Sequence, residues 1–227
     1  MMRSPARCRT LVSAALAACL AALAAMADEA GWILSERDES PSGGYALYRR
    51  QAPGEDFSTW RLDTELAAPP ELVERITLRN LVEGPRVSAD RRQQLLRREG
   101  DVFWIHTEIE VSLAADRDVV LRIERRRDPA TGVLRVAWRA EPDAGPAPKP
   151  GVVRLRVSHG FWEFTPAAGG RTRAHYESYA EPGGPFPSWL VDVMSSGEVM
   201  EGLAQLRSAL AEASPQPPPG AASVIGG

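Results

Sequence analysis

Glu181-Pro182-Gly183-Gly184-Pro185-Phe186-Pro187-Ser188-Trp189-Leu190 places a rigid turn directly before a long apolar helix. Pro182 and Pro185 restrict the backbone, Gly183 and Gly184 permit positive φ, and Pro187 or Ser188 suits a helix start from which Trp189 begins the buried face. Beyond it Leu190, Val193, Met194, Met200, Leu203, Leu206 and Leu210 recur at three- and four-residue steps, which predicts an amphipathic helix to about Glu212. Gly197 and Gly202 each cost about 1 kcal/mol relative to Ala inside that helix, so a kink or a close approach is expected there.

Upstream of the turn the chain reads mainly as strands. Trp32 to Asp38, Tyr45 to Arg50 and Phe57 to Leu66 are separated by Gly/Pro turns, the pattern of an antiparallel meander. At Pro69-Pro70 the period changes: Leu72, Val73, Ile76 and the run Leu78 to Leu81 fit a helix that Pro70 opens and Gly84-Pro85 ends. Strand signals then strengthen. Phe103, Ile105, Thr107, Ile109 and Val111 alternate with Trp104, His106, Glu108 and Glu110, and Val119, Leu121 and Ile123 alternate with Val120, Arg122 and Glu124. Leu134, Val136 and Trp138 repeat the alternation, as do Val153, Leu155 and Val157, and Thr172, Ala174, Tyr176 and Ser178. Pro142 to Gly151 is a loop, too rich in Pro and Gly for a strand interior. A curved sheet followed by one long closing helix is the expected architecture.

The chain of 227 residues opens with Arg3, Arg7 and Arg9, then an Ala/Leu/Val run from Leu11 to Ala25, then Ala25 and Ala27. That is the anatomy of a secretory leader, residues 1–27, cut before Asp28. Leu16-Ala17-Ala18-Cys19 offers a competing lipoprotein box, although the residues after Cys19 stay apolar. The expected location is therefore outside the cytoplasm, periplasmic or extracellular, with a lipid anchor at Cys19 as the alternative. Basic and acidic residues number 27 and 30, and the leader takes three of the cations and no acid. An acidic balance argues against a nucleic-acid partner. Cys8 and Cys19 both fall in the leader, so no disulfide is expected in the mature protein. Residues 28–213 are long enough for one packed core, and the Pro/Gly/Ala-rich 214–227 are expected to be disordered. Arg125 to Arg127 reads as a solvated strand end.

Catalytic chemistry finds little support. Asp116 and Asp118 flank Arg117, but metal binding needs more converging ligands than an alternating tripeptide brings; Arg117 is expected to pair with a neighbouring carboxylate and fix the start of its strand. His106, His159 and His175 are scattered over three strands without zinc spacing. Ser158 and His159 are adjacent in a strand and point to opposite faces, so they cannot act as a nucleophile and base. No catalytic residue, metal or cofactor is expected.

Taken in order, Asp116-Arg117-Asp118 opening a strand, Gly160-Phe161-Trp162 in a late strand and the Pro-Gly-Gly stretch before the last helix resemble the START domain, the lipid-transfer domain related to the steroidogenic acute regulatory protein. The likeness runs from about Trp32 to Leu210. It implies an α+β helix-grip fold, a curved antiparallel sheet wrapped around a long C-terminal helix with an apolar cavity between them. Family members bind sterols, phospholipids, sphingolipids or other apolar molecules. The resemblance departs at Ile123, where some sterol-binding members carry a basic side chain, so sterol specificity is not carried over. Asp116, Arg117, Asp118, Trp162, Pro182, Gly183, Gly184 and Pro187 are its structural motif residues. The expected cavity wall is Ile105, Ile109, Leu121, Ile123, Val136, Trp138, Leu155 and Tyr176 from the strands, with Trp189, Val193, Met194, Met200 and Leu203 from the helix.

A lipid or other small hydrophobic ligand is then the expected partner of a monomer in transient contact with membranes. At about 0.8 kcal/mol per buried methylene, ten methylenes offer roughly 8 kcal/mol before ordering costs. Two other readings compete. A helix-grip cyclase or hydrolase would gather His106, Glu108 or Tyr176 around an interior pocket, and an interaction module would fill the space with its own side chains.

Overall fold

The computed structural model describes residues 31–40, 43–84, 90–112 and 114–213. The expectations for the leader, both cysteines and the tail therefore lie outside the described residues. Twelve principal elements follow one another: β1 (Ile33–Asp38), β2 (Tyr45–Arg50), β3 (Thr59–Leu66), α1 (Pro70–Glu83), β4 (Arg91–Glu99), β5 (Val102–Ile109), β6 (Arg117–Arg127), β7 (Leu134–Ala140), β8 (Val153–Arg154), β9 (Ser158–Ala167), β10 (Arg171–Ala180) and α2 (Ser188–Ala213). The strands form one sheet in the order β1-β2-β3-β10-β9-β7-β6-β5-β4. All neighbours on that path are antiparallel, and the short β8 lies parallel to β6. This is the expected α+β helix-grip architecture.

Cross-strand partners share a face, so the register shows which side chains meet. One row on the inner face runs Leu47, Leu62, Tyr176, Trp162, Val136 across β2, β3, β10, β9 and β7. Against this part of the sheet pack Val73 and Ile76 of α1 and Leu203, Leu206 and Leu210 of α2, forming the core. Pro70 sits in the first turn of α1, and Gly84 closes the helix at φ 84° with its N–H donating to Asn80 O. Glu74, 2% exposed, pairs with Arg125, and Glu71 pairs with Arg127 at 3.2 Å. The basic run at the end of β6 thus docks α1 and is not simply a solvated strand end.

Three details depart from the sequence reading. The nine residues of β4 form a full edge strand where none was expected. The strand expected over Val153 to Val157 shrinks to Val153–Arg154. Gly197 and Gly202 involve no close approach: α2 is one continuous helix, and a Cβ added at either glycine would find nothing within 4 Å.

Candidate functional site

A pocket of about 840 Å³ separates the N-terminal part of α2 from the sheet. Its floor is laid in cross-strand rows over β4, β5 and β6. The first is Arg91, Ile109, Arg117; the second Gln93, Thr107, Val119; the third continues as Ile105 and Leu121. Beyond them Trp138, Trp162 and Tyr176 form an aromatic wall, with Tyr176 ring centroids 5.7 Å from Trp138 and 4.7 Å from Trp162. Gly160 is opposite Trp138 in the ladder, and a Cβ there would stand 2.4 Å from Trp138 Cζ2. Only glycine lets the indole lie across β9. The roof is α2, including Val193, Met194 and the two glycines, and Thr77, Asn80 and Leu81 of α1 close one side.

Polar groups punctuate this wall. Burial pushes the Tyr176 hydroxyl up to about 12, so it stays protonated through the neutral range. Thr77 Oγ1 is buried with no hydrogen-bond partner among the described residues. Arg91 is paired with Glu198 of α2, while Asp192 on the same helix meets Arg49 of β2 at 3.3 Å. The helix is thereby latched to strands on either side of the sheet. Gly183 and Gly184 take φ values of 68° and 80°, the left-handed turn their sequence suggested. That turn is held by Arg117, whose Nε and Nη2 donate to Pro182 O at 3.4 Å and Gly183 O at 3.2 Å and whose Nη1 donates to Ala115 O. Arg117 therefore does secure the start of β6, but through carbonyls and not through the carboxylate pair expected of it.

Of the residues expected in the cavity wall, Ile105, Ile109, Leu121, Trp138, Leu155, Tyr176, Val193 and Met194 line this pocket. Ile123, Val136 and Leu203 instead belong to the packed core near α1, with Met200 packed partly buried against it. Trp189 neither lines the pocket nor buries its ring: it is 67% exposed, beside Val193 at 63% and Met194 at 47%. A helix turn at the sheet's rim has nothing beneath its outer side, which periodicity alone does not reveal. Arg91, Gln93, Thr77 and Asn80 were missed as wall residues. The signal for β4 was Gly100-Asp101 before Val102, a two-residue hairpin loop.

The other face of the sheet carries a separate polar cluster. Asp118, 2% exposed, accepts bonds from Arg154 Nε and Nη2 at 2.7 Å each and lies 3.0 Å from His106 Nε2. Arg154 also donates to Pro142 O and Pro146 O, so it straps the β7–β9 connection onto the sheet. Despite its burial, Asp118 stays below the usual aspartate range because Arg154 and His106 bond its ionised form. Glu108 pairs outward with Lys149. His106, Glu108 and Tyr176 are thus divided between two faces and do not converge. His175 bonds Asp63 at 2.6 Å and Glu177 at 3.1 Å, and the His159 ring lies tilted against Tyr179 with centroids 5.4 Å apart. Among the described residues no group of His, Cys, Asp and Glu is placed to hold a metal, and no helix is long and apolar enough to cross a membrane.

Comparison with known proteins agrees with this geometry. The START domain family model matches residues 13–216. An uncharacterized protein of Pseudomonas aeruginosa is 28% identical over 197 residues, covering 86% of this chain and 94% of that one. Among solved structures, a STAR-related lipid transfer protein of Xanthomonas axonopodis superposes with a TM-score of 0.68 at 24% identity, covering 80% of this chain and 99% of the other. Human StAR-related lipid transfer protein 5 gives 0.65 at 17% identity, covering 90% and 98%.

Proposed function

The chain belongs to the START domain family, and from that membership together with the pocket beneath α2 we propose that it binds a lipid or another hydrophobic ligand there. The observation that carries this reading is the pocket of about 840 Å³ whose walls combine aliphatic and aromatic side chains with a few polar ones, a size within the roughly 300–1,000 Å³ of small-molecule sites. Its roof contains two glycines where larger residues would fill the space. The relatives named as lipid transfer proteins support the same ligand class. The mechanism is shielding: the ligand's chain leaves water for the space between sheet and helix, and the driving force grows with each methylene buried. The turn Pro182–Pro187 and the first turns of α2 gate the opening. The leader of Arg3, Arg7 and Arg9 with its apolar run supports export, so the protein carries its ligand through an aqueous envelope compartment as a monomer in transient contact with membranes.

Native mass spectrometry of the purified protein, followed by extraction and a broad lipid exchange panel, tests the proposal. Retention of a lipid in stoichiometric amount, displaced by exchange, is the expected result. Protein that neither retains nor takes up any member of the panel would overturn it.

A further inference from the structure

Resting on that reading, the polar features of the pocket define the other end of the ligand. Polarity falls row by row along the floor: two guanidinium side chains in Arg91, Ile109, Arg117, then an amide and a hydroxyl in Gln93, Thr107, Val119, then only aliphatic carbon in Ile105 and Leu121. Past these rows lie the rings of Trp138 and Trp162. A surface graded in this way matches a molecule with one charged end and one hydrocarbon end.

The sign of that charge follows from Arg117. Arg91 already has its counter-ion in Glu198. Arg117 is only 7% exposed and lines the pocket, yet its hydrogen bonds all end on the neutral carbonyls of Ala115, Pro182 and Gly183, and the Phe186 ring lies 4.5 Å from its Cζ. Carbonyls and a ring face satisfy donors without cancelling a charge, and a guanidinium with five N–H donors has some left over. Two acids adjoin it in sequence and neither neutralises it. Asp116 Oδ1 accepts the Val111 N–H at 3.1 Å, and Asp118 faces Arg154 and His106 on the opposite side of the sheet. Of the acids on the pocket wall, Glu198 is taken by Arg91 and Asp90 has an interaction of its own, and among the described residues no ion pair joins Asp90 or Glu201 to Arg117. A buried cation lacking a counter-ion is costly unless one arrives, and arginine's fork fits carboxylate and phosphate bidentately.

We propose that Arg117 is a head-group site for an anionic amphiphile, receiving a carboxylate or phosphate while the hydrocarbon chain runs over Ile105 and Leu121 toward Trp138 and Trp162. The acids that a simple ion-pair strand start would use are turned away by the fold, and the space they leave faces the pocket.

Calorimetric titration of the delipidated full chain with oleate, oleyl phosphate and oleyl alcohol separates the head groups while holding the chain constant. At about pH 8, far above the ~4.3 of a free carboxyl, oleate in water is ionised. At least one anion is expected to bind about 10- to 100-fold more tightly than the alcohol, and which one identifies the head group. In Arg117→Gln the anion and the alcohol are expected to bind alike. Ile109→Glu, which sets a resident carboxylate opposite Arg117 in the ladder, is expected to remove the preference by another route should Arg117→Gln fail to fold. Equal affinity of the wild type for all three ligands would overturn this inference and leave hydrophobic binding standing. Binding of none of them, together with an empty lipid exchange panel, would overturn the reading beneath it as well.

Discussion

Arg117 and Asp118 are consecutive in β6, and strand alternation sends them to opposite faces with opposite tasks. Arg117 faces the pocket and ties down the Pro182–Gly183 turn; Asp118 anchors the outer strap through Arg154, whose side chain is 6% exposed. Gly145 brings that strap close to the sheet, for a Cβ there would meet Val120 Cγ2 at 2.5 Å. Removing one member of a buried ion pair leaves the other charged and unpaired, so Asp118→Asn is expected to cost about 3–5 kcal/mol in urea unfolding at neutral pH. The folded-state value of Asp118 lies below its ordinary 3.8, so the ionised side chain stabilises the protein fully above that pH. As pH falls through the lower folded value the carboxylate protonates and the contribution is lost. The gap between wild type and Asp118→Asn should therefore be widest near neutrality and narrow below about 3.8. A constant gap across that range would show that the pair acts otherwise. The sequence exposes Asp118 as an acid on a strand, but not Arg154 as its partner, because the two are brought together only by the parallel contact of β8 with β6.

At the scale of elements, legibility followed periodicity. Strands with clean apolar alternation, such as β5 and β6, and the helices opened by Pro70 and Pro187, are readable because burial on one face imposes a period. β4 is not: Arg91-Arg92-Gln93-Gln94-Leu95-Leu96-Arg97-Arg98 is an edge strand whose long polar side chains cover rings, Arg97 over Trp104 at 3.9 Å and Arg98 over Phe103 at 5.0 Å. The pocket wall was half legible for a related reason. Alternation identifies the inner face, but not which part of that face is filled by α1, and this is why Ile123 and Val136 are core while Ile109 and Leu121 border space. The glycines of α2 belong to the same question. Gly197 and Gly202 carry the propensity cost of about 1 kcal/mol each without any contact that requires them. On the proposed function their use is the room they leave, and Gly202→Leu should stabilise the helix by about 1 kcal/mol while filling part of the pocket. Urea unfolding and calorimetric titration with oleyl alcohol check the two halves: a raised midpoint with weakened binding is expected. Undiminished binding would mean that the ligand does not lie beneath this turn.

For the molecule as a whole, the inner face of the sheet is packed unevenly. Toward β2, β3, β10 and β9 it is covered by α1 and the C-terminal half of α2, with Leu47, Leu62, Phe164 and Leu203 at or below 1% exposure. Toward β4, β5 and β6 the same face borders the pocket, and the roof above it is held by Arg91–Glu198 and Arg49–Asp192. Surface ion pairs of that kind contribute about 0–1 kcal/mol each, so they position the roof more than they stabilise it. Close-packed interiors derive their cohesion from contacts that this region lacks, and the hydrocarbon ligand proposed above would supply them. On the proposed function the ligand would complete the core, and its binding would be linked to unfolding by mass action. At a free concentration of 100 Kd a ligand that binds only the folded chain adds about 2.7 kcal/mol, and for a domain of 150–250 residues each kcal/mol raises Tm by about 2–4 °C. Oleate or its alcohol at saturating concentration should accordingly raise the Tm of the delipidated protein by roughly 5–10 °C in differential scanning calorimetry. The shift should grow with the logarithm of ligand concentration and with chain length, because each added methylene transfers more apolar surface from water. A Tm insensitive to both would mean that sheet and helix are cohesive without a guest, and the interaction-module reading would replace the carrier.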